Sequence, residues 1–136
     1  VQNIEACTQP YDVSVRWNND EFVIVGEREN DQAIESLAKG ISATLTHVKA
    51  DHHIGFSCYP FDSINPTSIS WEQVTLIANQ ALNNAIAKDN SKWLGILGCR
   101  CESSELLFSE IMQSTDISKQ SELLLIASEK PLANGN

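Results

Sequence analysis

Residues 70–86 decide the fold, and they read SWEQVTLIANQALNNAI. Ser70 and Gln73 have the spacing of a capping box, in which each side chain satisfies a free backbone N–H of the first helical turn. The apolar residues that follow recur at the three- and four-residue intervals of one helical face: Val74, Ile77, Ala78, Ala81, Leu82, Ala85 and Ile86. The pattern predicts an amphipathic helix that starts at Ser70 and ends before Asp89.

Strand patterns lie on both sides of this helix. Residues 53–59 form a short aromatic run, in which Gly55 marks a close approach of another backbone. After the helix, the apolar run at residues 93–97 predicts a buried strand. The last part of the chain predicts a short helix at residues 104–113 and a terminal strand at residues 123–127.

The first fifty residues add a hairpin and a second helix. Residues 12–26 contain two β-rich runs around Asn18-Asn19, and asparagine tolerates the positive φ of a tight turn. An apolar face that follows an N-cap at Asn30 or Asp31 predicts a helix to about residue 46. The order β-β-α-β-α-β predicts an α+β fold, an α/β sandwich with helices packed on a sheet.

Length and charge restrict the class of protein. The chain has 136 residues, enough for one domain, and its 18 Asp and Glu against nine Lys and Arg leave a formal net charge of −9. This charge repels phosphate backbones and anionic lipid, so we expect neither nucleic-acid nor membrane-surface binding. The sequence has neither an apolar span of roughly 20 residues nor a signal peptide at its N-terminus, so we expect no membrane insertion by this segment.

The cysteines and histidines do not follow a metal-binding spacing. The four cysteines, Cys7, Cys58, Cys99 and Cys101, have neither zinc-ribbon nor disulfide-rich spacing, so we expect reduced thiols in the cytoplasm. Cys99 and Cys101 are either a redox pair or two thiols with no redox role, and the sequence leaves the choice open. His52 and His53 would point to opposite faces of a strand, which disfavours a metal cluster with His47 and Cys58.

Several segments together resemble the GGDEF family, the diguanylate cyclases that condense two GTP into cyclic di-GMP. Residues 16–22, RWNNDEF, resemble the signature turn of the family. Residues 53–57 resemble its S-I-G strand, and residues 78–86 resemble its A-D-x-A-L-Y-x-A-K helix. Trp93 stands where the last strand of the family begins. Residues 59–61 and 70–74 are similar to a subgroup of cyclase domains at the C-termini of bacterial sensor proteins.

The resemblance covers residues 10–98 and, more loosely, the rest of the chain. It implies a palm-like nucleotidyl cyclase fold with a mixed, mostly antiparallel sheet. Residues 1–100 correspond to part of a GGDEF domain, and residues 101–136 to a C-terminal extension of that domain with a flexible tail. The opening strand and first helices of the domain are then expected upstream of Val1, together with a sensor domain. The segment is expected in the cytoplasm, either alone or as part of a membrane-anchored sensor.

The signature turn departs from the family at the positions that hold GTP. Asn18 and Asn19 stand where the family has two glycines against which GTP lies, so their side chains fill that space and we expect poor nucleotide binding. Asp20 matches the acidic third position and is a candidate Mg²⁺ ligand, followed by Glu21 and Phe22. The alternative is that Asp20 and Glu21 are solvated carboxylates at the tip of the hairpin.

Two further sites implied by the resemblance have lost their cations. Ile86 and Asn90 align with a lysine and an arginine that contact phosphate in the family. Losing two charge-assisted contacts of about 1.5–3 kcal/mol each weakens ground-state binding about a hundredfold or more. Asp12 matches the aspartate of the inhibitory product site, but Gln9 stands at the position of its arginine, so we do not expect feedback binding of cyclic di-GMP.

Three hypotheses follow. The first is a degenerate GGDEF domain without catalysis, which serves as a regulatory or partner-binding module of a bacterial cyclic di-GMP signalling protein. The second is an active cyclase with an unorthodox signature, in which Asp20 and Glu21 use Mg²⁺ with ligands from upstream residues. The third is a platform for homodimers, formed through strand edges that the absent opening strand leaves unpaired. We expect no cofactor under the first hypothesis.

Overall fold

The computed structural model describes residues 9–10, 12–16, 22–62, 65–88, 92–99, 104–114 and 123–127. The chain divides into two compact units, Val1–Asp51 and His52–Asn136. The helices and strands agree with the predicted α+β order. They are, along the chain, β1 (Val13–Arg16), β2 (Phe22–Val25), α1 (Asp31–His47), β3 (Ile54–Ser57), α2 (Trp71–Lys88), β4 (Trp93–Cys99), α3 (Ser104–Gln113) and β5 (Leu123–Ala127).

The first unit contains the predicted hairpin. β1 and β2 pair antiparallel, with Val13 opposite Val25 and Arg16 opposite Phe22. Both strands are rich in β-branched residues, which favour an extended backbone. The hairpin is therefore confirmed, and its turn at Asn18-Asn19 lies outside the described residues.

α1 follows the hairpin and begins where the sequence predicts. The side-chain oxygen of Asn30 accepts a hydrogen bond from the N–H of Ala33 at 2.9 Å, so Asn30 is the N-cap. Ala38 and Ile41, which belong to the predicted apolar face, are buried. The helix ends at His47, one residue beyond the predicted end.

The second unit is built on a three-stranded sheet of order β3-β4-β5. β3 and β4 run parallel, with Ile54 beside Trp93, and β4 pairs antiparallel with β5. Neighbouring strands that are joined by a helical crossover, here α2, run in the same direction. The expected mostly antiparallel sheet is therefore not seen, because this sheet has one parallel and one antiparallel pairing.

Gly55 allows α2 to lie directly on β3. A Cβ atom at this position would collide with the backbone nitrogen of Leu82 and would lie 2.6 Å from the carbonyl oxygen of Ala78. The two backbones are too close for any side chain to fit between them. The close approach predicted from the sequence is confirmed.

The capping box of α2 forms as predicted. The N–H of Gln73 donates to the Ser70 hydroxyl at 3.1 Å, and the N–H of Ser70 donates to the Gln73 side chain at 2.9 Å. Ile69 and Val74 flank this box at the positions of a hydrophobic staple, and both are buried. They belong to a core cluster that also contains Phe61, Ile77, Ala81, Ile96, Leu107 and Ile111.

Gln80 joins α3 to α2. Its side-chain amide donates to the carbonyl oxygens of Ile111 at 2.9 Å and of Ser114 at 3.4 Å. Both acceptors lie at the end of α3, where a helix leaves carbonyl groups without partners in its own backbone. Asn84 is buried beside this contact and donates to the main-chain carbonyl of Gln80 at 3.0 Å. These hydrogen bonds hold the end of α3 against α2.

We expect Gly55→Ala to lower the free energy of unfolding by about 1–3 kcal/mol, because the added methyl group forces α2 or β3 to move. Gly40→Ala makes the same chemical change inside α1, where alanine is favoured by up to about 1 kcal/mol, and is expected to keep or raise stability. Urea denaturation followed by circular dichroism measures both variants. Wild-type stability for Gly55→Ala would contradict the close contact of α2 with β3.

Candidate functional site

Three of the residues singled out by the resemblance are described with their side chains: Gln9, Asp12 and Ile86. Phe22 is described only as the first residue of β2. Gln9 and Asp12 belong to the first unit and Ile86 belongs to the second. The remaining site residues lie outside the described residues: Asn18, Asn19, Asp20, Glu21 and Asn90.

Asp12 forms a two-pronged ion pair with Arg28. Nη2 of Arg28 donates to Oδ2 of Asp12 at 2.7 Å, and Nη1 donates to Oδ1 at 2.9 Å. The pair is almost fully covered, since the side chains of Arg28 and Asp12 are only 9% and 2% exposed. Parallel N–H···O bonds from a planar guanidinium are among the strongest side-chain contacts to a carboxylate. Both oxygens of Asp12 are therefore engaged within the hairpin unit.

Gly26 makes room for this ion pair. Asp12 precedes Val13 and Gly26 follows Val25, the strand partner of Val13, so the two residues lie side by side just beyond the paired strands. A Cβ atom on Gly26 would collide with the Asp12 carboxylate and would lie 3.1 Å from Nη1 of Arg28. Because position 26 has no side chain, Arg28 reaches Asp12 just beyond the paired ends of β1 and β2.

The turn before β1 adds another hydrogen bond to the Asp12 carboxylate. The N–H of Gln9 donates to Oδ2 of Asp12 at 2.8 Å, and the N–H of Asp12 donates to the carbonyl oxygen of Gln9 at 3.0 Å. Aspartate often closes a turn in this way through its own side chain. Gln9 thus contributes its main chain to the site, at the position where the resemblance implies an arginine side chain.

These partners lower the pKa of Asp12 to about 2, from an ordinary value of 3.8. The hydrogen bond from Arg28 is the largest cause, and it outweighs burial, which acts in the opposite direction; the Gln9 N–H and the charge of Arg28 lower the pKa further. The same contact raises the pKa of Arg28. The arrangement therefore keeps a full negative and a full positive charge together, as in a structural ion pair.

Arg28 is the residue that the sequence reasoning missed. Its signal was the register of the hairpin, because Arg28 lies two residues beyond Gly26, the position beside Asp12. The resemblance implies an arginine three residues before Asp12, whereas the cation that meets Asp12 comes from the segment after β2.

Ile86 lies on the outer face of α2 and is 51% exposed. It stands three residues after Asn83 and seven after Asn79, both of which are exposed, so the helical repeat brings the three to one side. The prediction that Ile86 continues the buried apolar face is wrong for this reason. The face of α2 toward the core is made instead by Val74, Ile77, Ala81 and Ala85.

The outer face of α2 also lacks charge around Ile86. No Asp, Glu, Lys or Arg occurs between Glu72 and Lys88. At the position where the resemblance implies a phosphate-binding lysine, the helix thus presents an aliphatic side chain. Such a side chain neither donates a hydrogen bond to phosphate nor offsets its negative charge.

No group of three or more His, Cys, Asp or Glu side chains in the described part of the chain is arranged to hold a metal ion. The Cys58 thiol donates to the carbonyl oxygen of Leu97 at 3.0 Å. Cys99 ends β4 without a described side chain, and Cys101 lies outside the described residues. Among the helices of the described ranges, none is both long and apolar enough to span a bilayer.

Comparison with known proteins gives no match: no family model, no curated protein and no solved structure matches this chain. The GGDEF resemblance therefore depends on the motifs quoted above and on their order along the chain.

Asp12→Asn is expected to lower the free energy of unfolding at neutral pH by about 1–2 kcal/mol, the value of its pKa shift reduced for screening by nearby water. Because the pKa is lowered, this contribution is complete above about pH 4 and is lost as the pH falls toward 2. Urea denaturation at a series of pH values measures it.

Glu29→Gln is the matched control, since Glu29 is exposed and its replacement removes the same charge next to Arg28. We expect little change for this variant. An NMR titration of the Asp12 carboxyl carbon that gives a pKa near its ordinary value of 3.8 would contradict the ion pair.

Proposed function

We propose that this chain is a degenerate GGDEF domain that neither binds GTP productively nor makes cyclic di-GMP. It serves as a regulatory module of a bacterial signalling protein in the cytoplasm, beside an upstream sensor domain. The proposal combines the order of the motifs, which resembles that of a palm-like cyclase domain, with the chemistry of the residues at the positions that the resemblance aligns with binding groups.

The observation that carries the proposal is the position of Ile86. Its side chain is half-exposed on the outer face of α2, at the position that the resemblance aligns with a phosphate-contacting lysine. Charge-assisted contacts to phosphate are worth about 1.5–3 kcal/mol each, so this replacement alone weakens binding roughly tenfold to a hundredfold.

The state of Asp12 supports the same conclusion for the inhibitory site. A ligand that needed this carboxylate would have to break both hydrogen bonds from Arg28 and then leave a buried guanidinium without its partner. Breaking this part-buried pair costs about 1–2 kcal/mol, the stability that it contributes at neutral pH. We therefore propose that this site does not take up cyclic di-GMP, and that Asp12 and Arg28 stabilise the hairpin unit.

The active cyclase remains the alternative, with Asp20 and Glu21 around Mg²⁺ and the remaining ligands from upstream residues. It differs from our proposal in a measurable quantity, since a cyclase must bind GTP with Mg²⁺ and release cyclic di-GMP. The dimerisation platform is the second alternative, and it is compatible with a chain that has lost nucleotide binding.

Restoring the lost groups tests the proposal. Wild-type chain is expected to give no heat of binding when GTP and Mg²⁺ are titrated into it. The variant Asn18→Gly, Asn19→Gly, Ile86→Lys, Asn90→Arg is expected to gain GTP binding by at least tenfold, because it regains the space of the two glycines and the two cations.

The matched control replaces Ile86→Lys with Leu76→Lys in the same variant. Leu76 lies on the same outer face of α2 with a similar exposure of 46%, so both proteins carry equal charge. If the two variants bind GTP equally, the gain is unspecific attraction and the resemblance at position 86 is wrong. Micromolar binding of GTP by the wild-type chain, with turnover to cyclic di-GMP, would refute the loss of function.

A further inference from the structure

α2 has an uncharged outer face that stands out in this acidic chain. The face consists of the exposed residues Thr75, Leu76, Asn79, Asn83, Ile86 and Ala87, and we call it the α2 outer face. The formal net charge of the chain is −9, yet no charged residue occurs between Glu72 and Lys88. Among the side chains of α2 that the structure describes, the exposed charge nearest to this face is Glu72 in the first turn, which lies one turn before Leu76.

The absence of charge on the α2 outer face is typical of surfaces that contact another protein. The centres of protein interfaces are depleted of charged residues relative to the rest of the surface. The α2 outer face also exposes two large aliphatic side chains, Leu76 at 46% and Ile86 at 51%. Two copies of a strongly acidic chain repel each other, and a contact between residues 75 and 87 of both copies brings no two carboxylates together.

The order of residues along the face reads nearly the same in both directions. If two α2 helices lie antiparallel with a two-fold axis at the level of residue 81, then position 76 faces position 86 and position 79 faces position 83. Leu76 therefore meets Ile86, Asn79 meets Asn83, and Thr75 meets Ala87. A two-fold interface needs this kind of self-complementarity, because each residue of one copy meets its counterpart twice.

We propose that the α2 outer face binds the same face of a second copy of this chain in an antiparallel, two-fold contact. Leu76 and Ile86 bury each other at the two ends. The carboxamides of Asn79 and Asn83 each have donor and acceptor groups, and they bond across the middle. The proposal uses only the exposed residues of α2 and does not depend on the GGDEF resemblance.

The size of the contact makes the dimer weak. The strip from Thr75 to Ala87 is about 20 Å long and one helix wide, which is smaller than the roughly 800 Å² that each partner contributes to a typical stable interface. Dimer formation is therefore expected to depend on protein concentration. Its salt dependence is distinctive, because salt screens the repulsion between two acidic chains while leaving the uncharged contact intact.

Sedimentation equilibrium of the wild-type chain from about 5 to about 500 μM is expected to give a monomer–dimer equilibrium that tightens from about 50 to about 500 mM NaCl. Leu76→Asp and Ile86→Lys are each expected to weaken the dimer at least tenfold, because each buries a charge against an aliphatic side chain. Circular dichroism checks that these exposed positions leave the fold intact.

The double variant Leu76→Asp, Ile86→Lys is the decisive protein. In the proposed register the new carboxylate at position 76 of one copy would meet the new ammonium group at position 86 of the other. We therefore expect dimerisation to return and now to weaken with salt. The matched control, Leu76→Asp with Leu106→Lys, has the same net charge, but its lysine is on α3, where Leu106 is 69% exposed. It is expected to stay monomeric.

Three results would overturn the proposal. If the wild-type chain remains monomeric at the highest concentration, the proposed dimer does not form. If Leu76→Asp and Ile86→Lys leave dimerisation unchanged, the contact between the two copies lies on another surface. Equal behaviour of the double variant and its control would exclude the antiparallel pairing of positions 76 and 86.

Discussion

The contact between Gly55 and the backbone of α2 determines how the second unit is arranged. Because no side chain separates β3 from the helix, α2 lies against the strand at residues 78–82, and the rotation of the helix about its axis is fixed there. The capping box at Ser70 and Gln73 sets where the helix begins, and Gln80 holds the end of α3 to it. The buried and exposed faces of α2 follow from these constraints, and both proposals depend on what the exposed face contains.

In our proposal, the two candidate sites lack binding capacity for different physical reasons. In the hairpin unit, the anion at position 12 is present, but Arg28 satisfies both of its oxygens and lowers its pKa. On α2, the group at position 86 is accessible, but it carries neither charge nor hydrogen-bond donors. An internal ion pair adds to the stability of the fold, whereas an exposed aliphatic side chain adds nothing unless a partner covers it.

Local signals predicted the helices and strands well and the relations between them less well. The cap at Asn30, the box at Ser70 and the close approach at Gly55 act over a few residues or through one geometric requirement, so the sequence reveals them. The parallel pairing of β3 with β4 and the contact of Arg28 with Asp12 depend on strand register, which no short motif encodes. The four-residue spacing from Leu82 adds Ile86 to the apolar stripe of α2, although its spacing from Asn79 and Asn83 places it on the exposed side.

The position of α2 on β3 is measured by nuclear Overhauser spectra of a protonated chain that carries isotope labels at its backbone amides and at its isoleucine methyl groups. We expect a contact between the α-protons of Gly55 and the amide proton of Leu82. We also expect the methyl groups of Ile77 to contact the buried cluster, and those of Ile86 to show no contact with Ile96. Contacts between Ile86 and Ile96, or the lack of any contact between Gly55 and Leu82, would show that α2 is rotated or displaced, and would contradict the account.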